Sequence, residues 1–211
     1  MPRLLFLFFL SLLHTPLFAQ STTGEKLLIG PTLGLNASTT SISQVFITDN
    51  KYGFNVGVKA KYPLGKRLML NSLLVYTQKG SSGQYSDWDE EFSYLELPVF
   101  LSYALGKEAT RFYPLVGIQQ GYLLRARTSL STLGGLPVPT SSAEAYRYEL
   151  GLSVGIGSQF QVSSKSSLFL DIRYASGLTN IWKGSGLFTR QDGFYPAYYN
   201  TVFSFNTGVL F

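Results

Sequence analysis

Residues 92–103 read FSYLELPVFLSY, a stretch apolar enough for a buried strand that nevertheless carries Glu96 and Pro98 near its middle. In the centre of a soluble sheet both are unfavourable, because an unpaired charge is costly to desolvate and proline has no N–H for the ladder. Alternation at period two separates the two characters. Leu95, Leu97, Val99, Leu101 and Tyr103 share one face, and Tyr94, Glu96, Pro98, Phe100 and Ser102 share the other. The fold is decided by which of these faces points outward.

The same alternation recurs along the chain. Leu33 and Leu35 alternate with Thr32, Gly34 and Asn36, and Phe54, Val56 and Val58 alternate with Asn55, Gly57 and Lys59. Further segments set Leu74 and Tyr76 against Thr77 and Lys79, and Val116 and Tyr122 against Gly117, Gly121, Arg125 and Arg127. Near the C-terminus Leu152, Val154 and Ile156 face away from Arg147, Glu149 and Ser153; Ile172 and Tyr174 from Asp171 and Arg173; Phe203 and Phe205 from Ser204 and Asn206. With the opening stretch this predicts eight strands, each long enough to cross a bilayer at a tilt, which takes roughly 9–11 residues. Short links near residues 63–66, 105–110 and 162–166 alternate with long ones near 38–50, 80–90, 128–144 and 179–198, rich in Ser, Thr, Gly, Asp and Pro. That is the pattern of an all-β, antiparallel, up-and-down barrel with its short turns at one end and four long loops at the other.

Composition agrees. The 211 residues are 45% hydrophobic, 15% aromatic and only 14% charged, where soluble domains carry roughly a quarter charged residues. There is no cysteine, which excludes disulfides, thiolate metal sites and cysteine nucleophiles. The net charge is +5, but the Lys and Arg form no basic run, so nucleic-acid binding is not expected. Residues 1–19 have one early charge (Arg3), an apolar run Leu4–Leu13 and Ala19 before Gln20, the layout of a cleaved secretory signal peptide. Export leaves residues 20–211 as the barrel domain, without the single histidine, His14.

A soluble lipocalin-like barrel turns its apolar face inward around a ligand, whereas an outer-membrane barrel turns it outward to lipid. Three features favour lipid. The polar face is glycine-rich, which suits a narrow interior; aromatics cluster at the strand ends, as in interfacial girdles; and the last strand ends on Phe211, as in closing strands read by the outer-membrane barrel assembly machinery. The other face then lines a lumen, where Lys59, Arg67, Glu96, Arg147, Glu149, Asp171 and Arg173 are expected to pair, since lone charges there are costly. Pro98 is expected to mark a bulge or kink.

Three motifs carry a family resemblance. Tyr94–Val99 (YLELPV), Gly53–Val58 (GFNVGV) and Asp171–Ile181 (DIRYASGLTNI) resemble strands of the PorT-like, or "porin family", outer-membrane β-barrel proteins of Bacteroidetes-type bacteria. The resemblance covers about residues 24–211 and implies an eight-stranded barrel in the outer membrane, usually without an assigned activity. PorT itself is implicated in type IX secretion, a role that barrel motifs alone do not transfer.

Chemistry is sparse. Without His or Cys in the exported chain, the usual general base, Ser–His and Cys–His catalysis and imidazole metal sites are missing. No catalytic residue, metal or cofactor is expected. Asp87, Asp89, Glu90 and Glu91 cluster in SDWDEEF, but not at the spacing of a calcium loop. The segment with Trp182, Phe188, Phe194, Tyr195 and Tyr198 is aromatic enough to meet a sugar or a protein partner, or to pack over the barrel mouth. The sequence thus supports a membrane scaffold whose external loops meet a partner. A narrow porin-like channel, a secretion or transport component, a soluble ligand-binding barrel and a barrel hydrolase stand as alternatives. Outer-membrane lipid and the assembly machinery are the partners that every membrane reading requires.

Overall fold

The computed structural model describes residues 27–42, 48–83, 88–107, 109–130, 145–182 and 197–211. The expected signal peptide lies outside them. Eight long strands follow in order: β1 (Leu28–Ile42), β2 (Thr48–Pro63), β3 (Leu68–Gly83), β4 (Trp88–Tyr103), β6 (Thr110–Leu130), β7 (Tyr148–Gln161), β8 (Ser167–Gly177) and β9 (Tyr198–Leu210). β5 (Leu105–Lys107) is a three-residue flap that pairs back onto β6 around Gly106, whose φ of 99° favours glycine. Each long strand pairs antiparallel with its chain neighbours; β1 meets β9, and β4 meets β6 across the flap. The sheet therefore closes on itself. Closure leaves no edge, so backbone donors and acceptors within hydrocarbon are satisfied between strands.

The apolar face is the outer one. Leu33, Leu35, Val56, Leu74, Leu97, Val116, Leu152 and Phe205 are all exposed, while Thr32, Asn55, Lys59, Thr77, Glu96, Asp171 and Asn206 are buried. On β6 the outward row runs from Phe112 to Leu124. Tilted by about 40°, it rises roughly 30 Å, the thickness of a hydrocarbon core. Tyr103, Phe112 and Phe211 sit exposed at the short-turn end of this band, and Tyr122, Tyr146 and Tyr148 at the other.

The ladders run further than alternation suggests. β1 and β2 continue pairing to Ser38↔Lys51, and β3 and β4 to Ser82↔Asp89, so the first two outer connections are hairpins rising out of the band rather than long loops. Pro98 does not introduce a bulge. The β3–β4 register is the same at Ser72↔Val99 and at Val75↔Glu96, with the two intervening pairs absent from the ladder, and β4–β6 pairing passes through Pro98↔Gln119 unshifted. The lost N–H costs ladder bonds to one neighbour only. The bulge on this strand pair lies instead where Ser93↔Arg125 gives way to Tyr94↔Leu123.

Candidate functional site

Most of the ion pairs among the described residues are buried in the lumen. Toward the long-loop end, Lys79 of β3 bridges Glu96 of β4 at 2.5 Å and Glu149 of β7 at 3.3 Å. Glu96 also accepts hydrogen bonds from Thr77 (2.9 Å) and Gln119 (2.8 Å). Glu149 accepts another from the Asn200 amide at 3.0 Å. Toward the short-turn end, Lys59 of β2 pairs with Asp171 of β8 at 2.6 Å, and the Tyr113 hydroxyl donates to the other oxygen of Asp171 at 2.6 Å. Lys61 donates to Gln159 at 2.5 Å. Links from β2 to β7 and β8, and from β3 to β7, tie opposite walls of the barrel together.

Aromatic rings and glycines make room for these cations. Lys59 lies 3.9 Å from the centre of the Phe169 ring, Lys61 4.6 Å from Tyr113, Lys79 4.8 Å from Tyr94 and the Arg173 guanidinium 5.3 Å from Phe100. Each ring lies against a lumen glycine. A Cβ on Gly208 would meet Phe169 at 2.7 Å, one on Gly117 would meet Phe100 at 2.8 Å and one on Gly121 would meet Tyr94 at 3.2 Å; one on Gly157 would run into Tyr113 and Asp171. These four glycines therefore leave space for rings that carry cations. Phe100 and Tyr113 also join Leu73, Val75 and Leu115 in an apolar layer, so the interior is filled rather than open.

Of the residues expected in the charge network, Lys59, Glu96, Glu149, Asp171 and Arg173 line the lumen. Arg173 enters it through stacking; among the described residues it forms no ion pair, and its buried Nε has no hydrogen-bond partner. Arg67 and Arg147 stand apart. Arg67 is exposed in the turn after β2, and Arg147 is exposed at a bend before β7, where Nη1 donates to the Leu123 carbonyl at 3.4 Å. Arg125 and Arg127, which strict alternation places inside, are exposed as well. The bulge on β6 turns Ala126 inward in their place, beside Leu123, which alternation already places inside. Lys79 is the hub that joins two carboxylates, a role that alternation alone does not single out.

The expected loop surface divides differently. Trp182 and Tyr198 are buried, packed with Phe92, Tyr94, Leu123, Ala126, Ala145 and Ile181 into a cap over the upper charge site. Phe188, Phe194 and Tyr195 lie outside the described residues. Of the SDWDEEF carboxylates, Asp89 pairs with Lys51 at 2.6 Å, Glu90 turns inward and meets Trp182 of the cap, and Glu91 lies opposite Arg127; Asp87 is outside the described residues. Alternation scatters these groups rather than converging them. Burial pushes the Glu90 carboxyl, which sits above the apolar band, up to about 8.

Residues 18–183 match the family model described as "Outer membrane protein beta-barrel domain". No curated protein sequence matches the chain. Among solved structures, the chain is similar to Ail, the attachment invasion locus protein of Yersinia pestis, at 16% identity over 89% of this chain and 100% of that one, with a TM-score of 0.48. Neisserial surface protein A gives 16% identity, 89% and 100% coverage and 0.47. OprG from Pseudomonas aeruginosa gives 11%, 88% and 95%, and 0.43.

Proposed function

Because the chain belongs to the outer-membrane β-barrel domain family, we propose that it is a non-enzymatic membrane scaffold, a closed barrel that holds its outer hairpins and loops at the cell surface to meet a partner. The observation that carries this reading is the cross-lumen filling. Lys79 with Glu149 and Lys59 with Asp171 span the interior between non-neighbouring strands, and all four side chains are at most 7% exposed. A pore for solutes requires an aqueous path past these residues, and an eight-stranded barrel is only wide enough for side chains to fill. Planar-bilayer recording of the refolded protein tests it: the scaffold reading expects a flat baseline, and regular unitary steps that scale with salt would establish the porin alternative. The three motifs quoted above support the narrower PorT-like placement, and the layout of residues 1–19 supports export through a cleaved signal peptide. Mass spectrometry of the protein recovered from membranes checks the second point, with Gln20 as the expected first residue.

A further inference from the structure

Three arginines that alternation assigns to the lumen emerge on the outside toward the long-loop end of two adjoining strands. β6 carries the extra residue of the bulge at Leu123–Arg125, so Leu124 and Arg125 both face out, followed by Arg127. On the adjoining strand the chain bends before β7 and exposes Tyr146, Arg147 and Tyr148 in succession. The two irregularities are locked together, since the Leu123 N–H donates to the Arg147 carbonyl at 2.7 Å and the Arg147 side chain returns a bond to the Leu123 carbonyl. At this level the interior is occupied by the buried cap of Phe92, Leu123, Ala126 and Trp182, so an exposed guanidinium here lies outside the wall.

This patch is at the upper edge of the lipid-facing band. Immediately below it are Leu124, Tyr122 and Tyr148, the two tyrosines packed edge to face at 5.2 Å. Among the described residues no carboxylate lies within ion-pair distance of the three guanidiniums. The facing acid is Glu91, half-exposed and in register with Arg127. The patch therefore keeps an excess of positive charge where headgroups of the outer leaflet lie. Arginine suits that position: its stem lies along apolar surface while its planar fork binds phosphate through two parallel hydrogen bonds.

We propose that Arg125, Arg127 and Arg147 form a binding site on the outer wall of the barrel for the headgroup phosphates of a phosphorylated glycolipid of the outer leaflet. The site rests on the outer-membrane placement of the chain and not on its filled lumen, so bilayer conductance and lipid binding fail independently.

The test is native mass spectrometry of the full chain refolded in neutral detergent and titrated with diphosphoryl lipid A. The R125Q/R127Q/R147Q variant is expected to lose at least tenfold in affinity, whereas K66Q/R67Q/K165Q, which removes exposed cations from the opposite end, is expected to bind as the parent does. Dephosphorylated lipid A is expected to bind at least tenfold more weakly, and millimolar inorganic phosphate is expected not to displace the lipid. Retention of affinity within twofold by the first variant overturns the proposal, as does equal binding of the dephosphorylated lipid. Displacement by phosphate alone would make this a free-anion site and overturns the lipid assignment. If the triple variant does not fold, Glu91→Gln decides: removing the facing acid is expected to tighten binding at least twofold, and unchanged or weaker binding refutes the site.

Discussion

Glu96 shows how one residue is fixed by the inversion of the barrel. Its carboxylate takes an ion pair from Lys79 and hydrogen bonds from Thr77 and Gln119, so its desolvation is met on several sides. Leu95, next in sequence, faces lipid and is 43% exposed. Removing one partner of a buried pair costs roughly 3–5 kcal/mol, because the other is left uncompensated. Truncating a lipid-facing leucine forfeits about 2 kcal/mol of apolar contact at most, and acyl chains refill the gap. Glu96→Leu is accordingly expected to destabilise the refolded barrel more than Leu95→Ala, read as the urea midpoint of unfolding in detergent; equal midpoints would refute the role of the network. Glycines make a parallel case. A Cβ on Gly157 collides with the Tyr113 ring and Asp171, whereas one on Gly65, in a turn, meets nothing within 4 Å. Gly157→Ala is expected to lower the heat-modifiability transition on gels by at least 5 °C, the effect of roughly 1.3–2.5 kcal/mol in a domain of this size, and Gly65→Ala to leave it in place.

At the scale of the strand, alternation was legible because lipid outside and a crowded lumen inside impose opposite demands on successive residues. The faces of β1, β3 and β8 follow from the sequence for that reason. It ceased to be legible where the backbone breaks period two. Nothing in the run Tyr122–Arg127 marks a bulge locally; the signal is that Leu123, Ala126 and Ala145 fit the apolar cap and their arginine neighbours do not. Arg67 fails differently, because it belongs to the turn and never enters the lumen. Pro98 errs in the other direction, since the strand absorbs it without changing register. Its cost is confined to the β3 side of the ladder. Pro98→Val restores a donor there and is expected to raise stability by about 0.5–1.5 kcal/mol, the worth of a net hydrogen bond. A loss of stability in the same urea assay would mean that the fixed proline backbone outweighs the missing bond.

For the molecule as a whole, the lumen reads as layers: the aromatic cap, the Lys79 site, the apolar layer of Leu73 and Phe100, and the Lys59 site. The cap is the layer nearest the outer hairpins, and it helps to bury a carboxyl. Glu90 is 3% exposed, held by the Ser81 hydroxyl at 3.4 Å and by the Trp182 indole, with Asp89 adding repulsion and Lys51 a weaker attraction. Burial dominates and raises its pKa from 4.5 to about 8. Between those values the folded cap keeps a proton that an opened cap releases, so closure loses stability as pH rises from about 4.5 and levels off above about 8. Trp182 is a reporter within the cap itself. Its emission is expected to shift toward the red, and the protection of amides around Phe92 and Tyr198, taken relative to base-catalysed exchange of the free chain, to fall, as pH is raised from 6 to 9. The Trp88 signal is removed beforehand by Trp88→Phe. Glu90→Gln, neutral at every pH, should abolish the dependence while keeping the cap closed; a pH response that survives this change would assign the titration to another group, with Tyr198, which burial also shifts upward, as the nearest alternative.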